Sequence, residues 1–478
     1  MKKNERNLDR DRLDFGDGKI GSLFRALFFP TLIAMIFTSA LTVIDGIFVG
    51  HGVGACGIAS VNIVAPVYML GTGIGLMFGV GASVIAGIRM SEGNIKTARI
   101  VMTQAIAVGS LLMAVICGVC LLFPRHIVGL LGASIILETD AIHYLLWMLP
   151  GILFLCVQYV GMMLIRLDGS PRYAMWIQVV VAALNIVLDW YFIFPLHMGV
   201  MGAAIATSIA NVAGGLTALA YFPLFGDRLR FYRLKLSVTS LLLTLRNTGY
   251  MAKIGFATML TELAMGVMMF TGNRMFLSIL DEDGVAAFAV VCYLFPVVFS
   301  IGNAVAQSAQ PIISYNHGAG RHDRVRRALC LSLQAALVSG LFVTFFLAAG
   351  AETIATLFLP VGSKAWSLTV SGLPRFAVCG VFFAVNIAFI GYWQSIEHAT
   401  RSTLLTLLRG VILLVPCFML LPHMAGVAGL WFAIPLAEAL TCGVITVMWL
   451  GDRGDNTNKA NWSNKANKTN KTNRTNKD

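Results

Sequence analysis

Twelve apolar runs, each close to the length of a bilayer crossing, leave this chain few ways to fold. They lie at approximately 23–49, 58–88, 98–122, 140–165, 173–195, 200–225, 248–280, 286–314, 328–349, 365–393, 402–421 and 426–450. About 20 apolar residues at 1.5 Å rise each suffice for a helix to cross a membrane. Charged residues make up only 12% of the 478, against about 25% in soluble domains, so the chain reads as an all-α integral membrane protein. The run from Leu23 to Val49 has no cleavage site behind it and is read as a first span that stays, not as a signal peptide.

The net charge of +12 is carried mainly by loops and tails. It is therefore read first as a topology signal, and no nucleic-acid partner is expected. Arg89, Lys96 and Arg99, then Arg166 and Arg172, the 226–247 segment, the 315–327 segment and Arg401 fall on the same side as both tails. The alternate loops hold little beyond Arg125 and Lys364, and one is the acidic Asp281-Glu282-Asp283. The positive-inside rule then predicts both termini cytoplasmic and hence an even number of spans; the expected location is the cell (inner) membrane.

The two halves follow one plan. VGACGIASVNIVAPVY from Val53 is echoed by DGVAAFAVVCYLFPVV from Asp283, with Pro66 and Pro296 in register, and the PLHMGVMG stretch from Pro195 by PHMAGVAG from Pro422. An offset of about 230 residues and an equal span count predict two parallel six-helix lobes with a central cavity between them. The predicted divisions are a cytoplasmic tail at 1–22, an N-terminal lobe at 23–225, a basic linker at 226–247, a C-terminal lobe at 248–450 and a basic tail at 451–478. The last, a repeat of Asn, Lys and Thr, is too polar to bury a core and is expected to be disordered.

Nine cysteines, mostly inside apolar runs, read as small packing residues; neither a disulfide framework nor a metal site is expected of them. The glycines at 71, 73, 75, 79 and 81 read as a close helix-packing face.

Carboxylates inside membrane spans are costly and mark ion or substrate paths. Asp45 lies near the end of the first run, Asn185 and Asp189 lie one turn apart in the fifth, and Thr207 lies about eight residues into the sixth. At 1.5 Å per residue all four reach a similar depth. Two acids, an amide carbonyl and a hydroxyl form an oxygen cage for Na⁺. The two acids, too close to ionise together, suit H⁺ equally. Pro30, fifteen residues before Asp45, removes a backbone hydrogen bond and offers a hinge. Glu262 in the seventh run is a second candidate for substrate or proton, or a structural partner of Arg274 or Lys253.

Four stretches together resemble the MATE multidrug and toxic compound extrusion transporters: DGIFVGHGVG from Asp45, the Arg166–Met175 turn, the Asn185/Asp189 pair and MGVMGAAIAT ending at Thr207. The resemblance covers about residues 20–450. It implies twelve helices in two lobes and Na⁺ or H⁺ antiport, with export of amphipathic, often cationic compounds. It also implies a cation site at Asp45, Asn185, Asp189 and Thr207. Some members of the family rely on acidic residues in the C-terminal lobe; here the seventh span offers Glu262, and the tenth holds no carboxylate but has Asn386. No cofactor beyond the coupling ion is expected, and the chain is expected to act as a monomer. The alternatives are a flippase for a lipid-linked precursor or polysaccharide, or a non-transporting receptor. An enzyme is not expected, since no nucleophile, base and orienting group occur at recognisable spacing and no nucleotide-binding loop is present.

Overall fold

The computed structural model describes residues 13–475 except 54, 134, 136, 235 and 236; of 50, 55, 56, 58 and 452–475 it describes the backbone alone. Expectations for 1–12 and 476–478 lie outside the described residues. All regular structure among the described residues is helical.

The N-terminal half contains α1 (Ile20–Gly52), α2 (Ala55–Ser91), α3 (Ile95–Leu122), the short α4 (Pro124–Leu130), α5 (Glu138–Leu167), α6 (Pro171–Ile193) and α7 (Gly199–Leu224). In the C-terminal half, α8 (Val238–Gly318) holds two crossings: Asp281, at φ 55° and ψ −150°, breaks it within the acidic loop. Then follow α9 (His322–Ala349), the short α10 (Ala351–Phe358), α11 (Lys364–Ala377) with α12 (Cys379–Ser395), and α13 (Ala399–Leu407) with α14 (Leu414–Ala425). The α11/α12 and α13/α14 pairs each make one crossing, and α15 (Val427–Thr475) makes the last with its Val427–Gly451 portion. Counting α8 twice, twelve crossings result among the described residues, as the sequence implies.

Two boundaries differ from those expected. The helix of α8 begins at Val238, inside the 226–247 linker, because Ser237 Oγ caps it by accepting the Ser240 amide at 3.2 Å. The backbone of α15 stays helical through Thr475, where irregular chain was expected; its last glycine is Gly454 and no proline follows to break it.

The lobes meet along a glycine seam. On α2, a Cβ added at Gly75 would lie 3.0 Å from Cys156 Cα of α5, and one at Gly79 3.1 Å from the Tyr159 carbonyl. The alternate glycines face the other lobe: Gly73 packs on Met259, Gly81 on the Met251 carbonyl, and Gly255 of α8 on the Met77 carbonyl. Such backbone-to-backbone approach supplies van der Waals contact where lipid gives helices no hydrophobic drive to associate.

We call the face carrying both chain ends the inner face. There Gly87 of α2 abuts Ser314 of α8, and Gly318 abuts Ser91 and Ile88. Between α5 and α8, the buried Arg166 donates from Nη1 to Gln307 Oε1 at 2.6 Å. Helix α1 belongs to both lobes. At its inner end Ile20, Leu23, Phe24 and Leu27 share a core with Ile312 and Ile313 of α8, Val325 of α9 and Ala388 of α12. Its outer part packs on α6.

Candidate cation site in the N-terminal lobe

Asp45 sits seven residues before the end of α1, so it neither caps that helix nor lies at its terminus. Opposite it, α6 presents Asn185 and Asp189, four residues apart and hence on one face. They are 3% and 0% exposed, so neither is solvated. The Asp45 and Asp189 carboxyl groups lie within hydrogen-bond reach of each other. Asn185 Nδ2 is 3.4 Å from Thr207 Oγ1 of α7 and donates to it. All four residues singled out in the sequence therefore converge.

The electrostatics of the cluster are unbalanced. Asp45 Oδ1 and both Asp189 carboxyl oxygens are buried and accept no hydrogen bond. Two ionised carboxylates about 4 Å apart repel by about 4 kcal/mol at an effective dielectric of 20. No lysine or arginine pairs with either acid among the described residues. With both acids ionised the pair carries two negative charges, and a proton or a small hard cation that offsets one of them relieves the repulsion.

Three further residues border the site that the sequence reading did not single out. Tyr68 of α2 lies within electrostatic range of Asp45, and Tyr144 of α5 within range of both acids. Asn211 is one turn beyond Thr207 on α7, and its buried Nδ2 has no acceptor. That i, i+4 spacing was a readable signal; the tyrosines, set in apolar runs, offered none.

Two turns toward the inner face a polar ladder ties the same helices together. Gln158 Nε2 donates to Gln178 Oε1 at 2.7 Å, and Gln178 Nε2 donates to Thr38 Oγ1 at 2.8 Å. Thr38 and Gln178 each precede a site residue, Asp45 and Asn185, by seven positions. Pro30 is inside α1, three residues past Leu27, the last α1 side chain fully buried in the core shared with the C-terminal lobe. The hydroxyl of the adjacent Thr31 is buried without a partner.

Glu262 does not join this site. It is half-buried on α8 near Tyr159 of α5, across the lobe boundary, and it pairs with neither Arg274 nor Lys253 among the described residues.

The MatE family profile matches residues 30–191 and 250–419, one segment in each lobe. The chain belongs to the MATE family. The FAD transporter of Shewanella oneidensis is 26% identical over 442 residues, covering 90% of this chain and 94% of that protein. The multidrug export protein MepA of Staphylococcus aureus is 26% identical over 448 residues, covering 90% and 95%. Among solved structures, an outward-facing multidrug resistance MATE family transporter of the MOP superfamily superposes with a TM-score of 0.83 at 23% identity, covering 90% of this chain and 95% of that one. A mutant of the Vibrio cholerae MATE transporter VcmN gives 0.82 at 20% identity, covering 91% and 97%.

This MATE chain holds a second polar cluster, in its C-terminal lobe. A π-helical turn, Leu408–Ile412, between α13 and α14 carries Arg409. Its Nη2 donates to Glu438 Oε1 at 2.7 Å and its Nε donates to the same oxygen at 3.0 Å. Asn386 Nδ2 donates to Glu438 Oε2 at 2.7 Å. The Phe383 ring covers the guanidinium, 4.6 Å away. Arg409 is thus held by structural pairing with Glu438 inside the lobe. Asn386, in the tenth crossing, is a donor to a carboxylate supplied by α15.

Proposed function

We propose that this multi-pass MATE protein is a secondary antiporter that exports amphipathic, often cationic compounds in exchange for Na⁺ or H⁺ by alternating access, from a cell membrane with both termini cytoplasmic. One observation carries the reading. Asp45 and Asp189 face each other in a buried site with three orphaned oxygens and no basic partner among the described residues. An ion entering from the outer side offsets one of the pair's two negative charges, with the Asn185 carbonyl and the Thr207 hydroxyl as further ligands for Na⁺. That relieves the repulsion between α1 and α6 and lets the outer part of α1 shift about Pro30. The shift reshapes the cavity wall and releases the exported compound outward, and loss of the ion to the inner side resets the site. Glu262, facing Tyr159 across the lobe boundary, serves as a second contact for substrate or proton.

The experiment is drug resistance in cells lacking their own efflux pumps. Asp45→Asn is expected to abolish the resistance conferred by the wild-type chain at equal expression; undiminished resistance in that variant would refute the role of Asp45.

A second reading concerns the charge of the cargo. Arg166 is 3% exposed, and it donates to the neutral Gln307 instead of to an acid. A buried guanidinium without a carboxylate, together with a relative called an FAD transporter, supports an anionic cargo such as a flavin nucleotide. Saturable FAD uptake into vesicles, lost in Arg166→Gln, is the outcome that would favour it over cationic drugs. A lipid-linked flippase has less support, because the other buried guanidinium, Arg409, is already neutralised by Glu438.

A further inference from the structure

We propose that residues 13–19 form a latch across the inner ends of the two lobes, holding the inner side shut until the transport cycle releases it. This proposal rests on the alternating-access reading, which requires the inner ends to separate.

The segment is short, compact and anchored at both lobes. Asp14 folds it: its Oδ1 accepts the Gly16 amide at 2.9 Å and its carbonyl accepts the Gly18 amide at 3.0 Å. Phe15, only 1% exposed, enters the core that the inner end of α1 shares with α8, α9 and α12. Its ring lies 6.1 Å from that of Tyr315, a residue that also packs against the N-terminal-lobe core.

Three backbone carbonyls are captured by the turn between α8 and α9. The fully buried Asn316 donates to Phe15 O at 3.0 Å, and Arg324 Nη2 donates to Phe15 O at 3.2 Å and to Gly18 O at 2.7 Å. Asn316 Oδ1 in turn accepts from Arg324 Nε at 2.7 Å, fixing the guanidinium. Arg321 Nη1 donates to Gly16 O at 2.5 Å. Its ion pair with the exposed Asp17 adds little, as surface pairs do.

The other anchor is in the N-terminal lobe. Leu13 lies against Gly169 in the α5–α6 turn, where an added Cβ would be 3.3 Å from the Leu13 amide nitrogen. Gly169 has φ +91°, so the turn itself favours glycine. Asp168 fixes this turn by accepting the amides of Asp227, Arg228 and Leu229 at 2.9, 3.0 and 2.8 Å. The latch thus overlies the point where Gly87 meets Ser314 and Gly318 meets Ser91. To part α2 from α8 there, the segment must let go of one turn or the other.

Ser314 is fully buried in that seam, so a cysteine placed there in an otherwise cysteine-free chain reports its opening through the rate of maleimide labelling in nanodiscs. Phe15→Ala is expected to raise the labelling rate at least about fivefold, since emptying a buried Phe site removes a large share of the closing energy. Arg324→Gln, which frees the Gly18 carbonyl and takes one of two donors from that of Phe15 while leaving the core intact, is expected to do the same and stands as the second variant if Phe15→Ala does not fold. Unchanged labelling in the folded variants would overturn the latch. The Ser314→Cys parent separates the two proposals: a parent whose labelling responds to ethidium or to a pH step while the latch variants match it sinks the latch alone. A parent that responds to neither tells against alternating access itself.

Discussion

Glu438 and Arg409 show what one charge does when it is enclosed by a membrane protein. Each side chain is 5% exposed, and Arg409 donates to Glu438 from both Nη2 and Nε. Removing only one partner strands a buried charge, a loss of about 3 to 5 kcal/mol. Glu438→Ala is therefore expected to lower the thermal unfolding temperature in detergent sharply. Glu438→Gln, which keeps an acceptor for Arg409, is expected to lower it less, and equal losses in both would argue against the charge as the cause. Sequence reading found Asp45, Asn185, Asp189 and Thr207 because depth along three helices is arithmetic. It missed Glu438 because its partners lie 29 and 52 positions away on other helices, a pairing no local spacing encodes.

Among the elements, α2 and the first half of α8 are matched through glycines that bring backbones together. Gly255 allows the Met77 carbonyl to approach α8 directly, whereas nothing lies within 4 Å of a Cβ at Gly266 on the same helix. Gly255→Ala is expected to destabilise the protein by about 1 to 3 kcal/mol, as overpacking does. Gly266→Ala is expected to be neutral or to stabilise by up to about 1 kcal/mol through helix propensity. Thermal stability in detergent checks both, and a neutral Gly255→Ala would show that the seam yields. The glycine series itself was legible as a packing face, but not that alternate glycines serve different neighbours, α5 and α8. That division follows from the side-chain direction around a helix once its two partners are known. Likewise the acidic Asp281 loop was readable as a turn, whereas the π-helical turn at Leu408–Ile412 was not, since LRGVI carries no residue that forces one.

For the whole molecule, the internal repeat is written into backbone geometry. Gly199 and Gly426, equivalent in the PLHMG and PHMAG stretches, both take positive φ, +59° and +58°, at the start of the last crossing of their lobes. Pro66 and Pro296 lie within matching crossings. The lobes have nevertheless diverged in chemistry: the N-terminal one sets two acids against each other with no basic partner among the described residues, whereas the C-terminal one pairs its buried acid, Glu438, with Arg409. This asymmetry supports ion coupling in the N-terminal lobe. The most direct test is dye efflux from proteoliposomes under an imposed Na⁺ or pH gradient, comparing the wild-type chain with Asp45→Asn and Asp189→Asn. Gradient-driven efflux by the wild type and none by either variant is the predicted result. Gradient-driven efflux that persists in Asp45→Asn would contradict it.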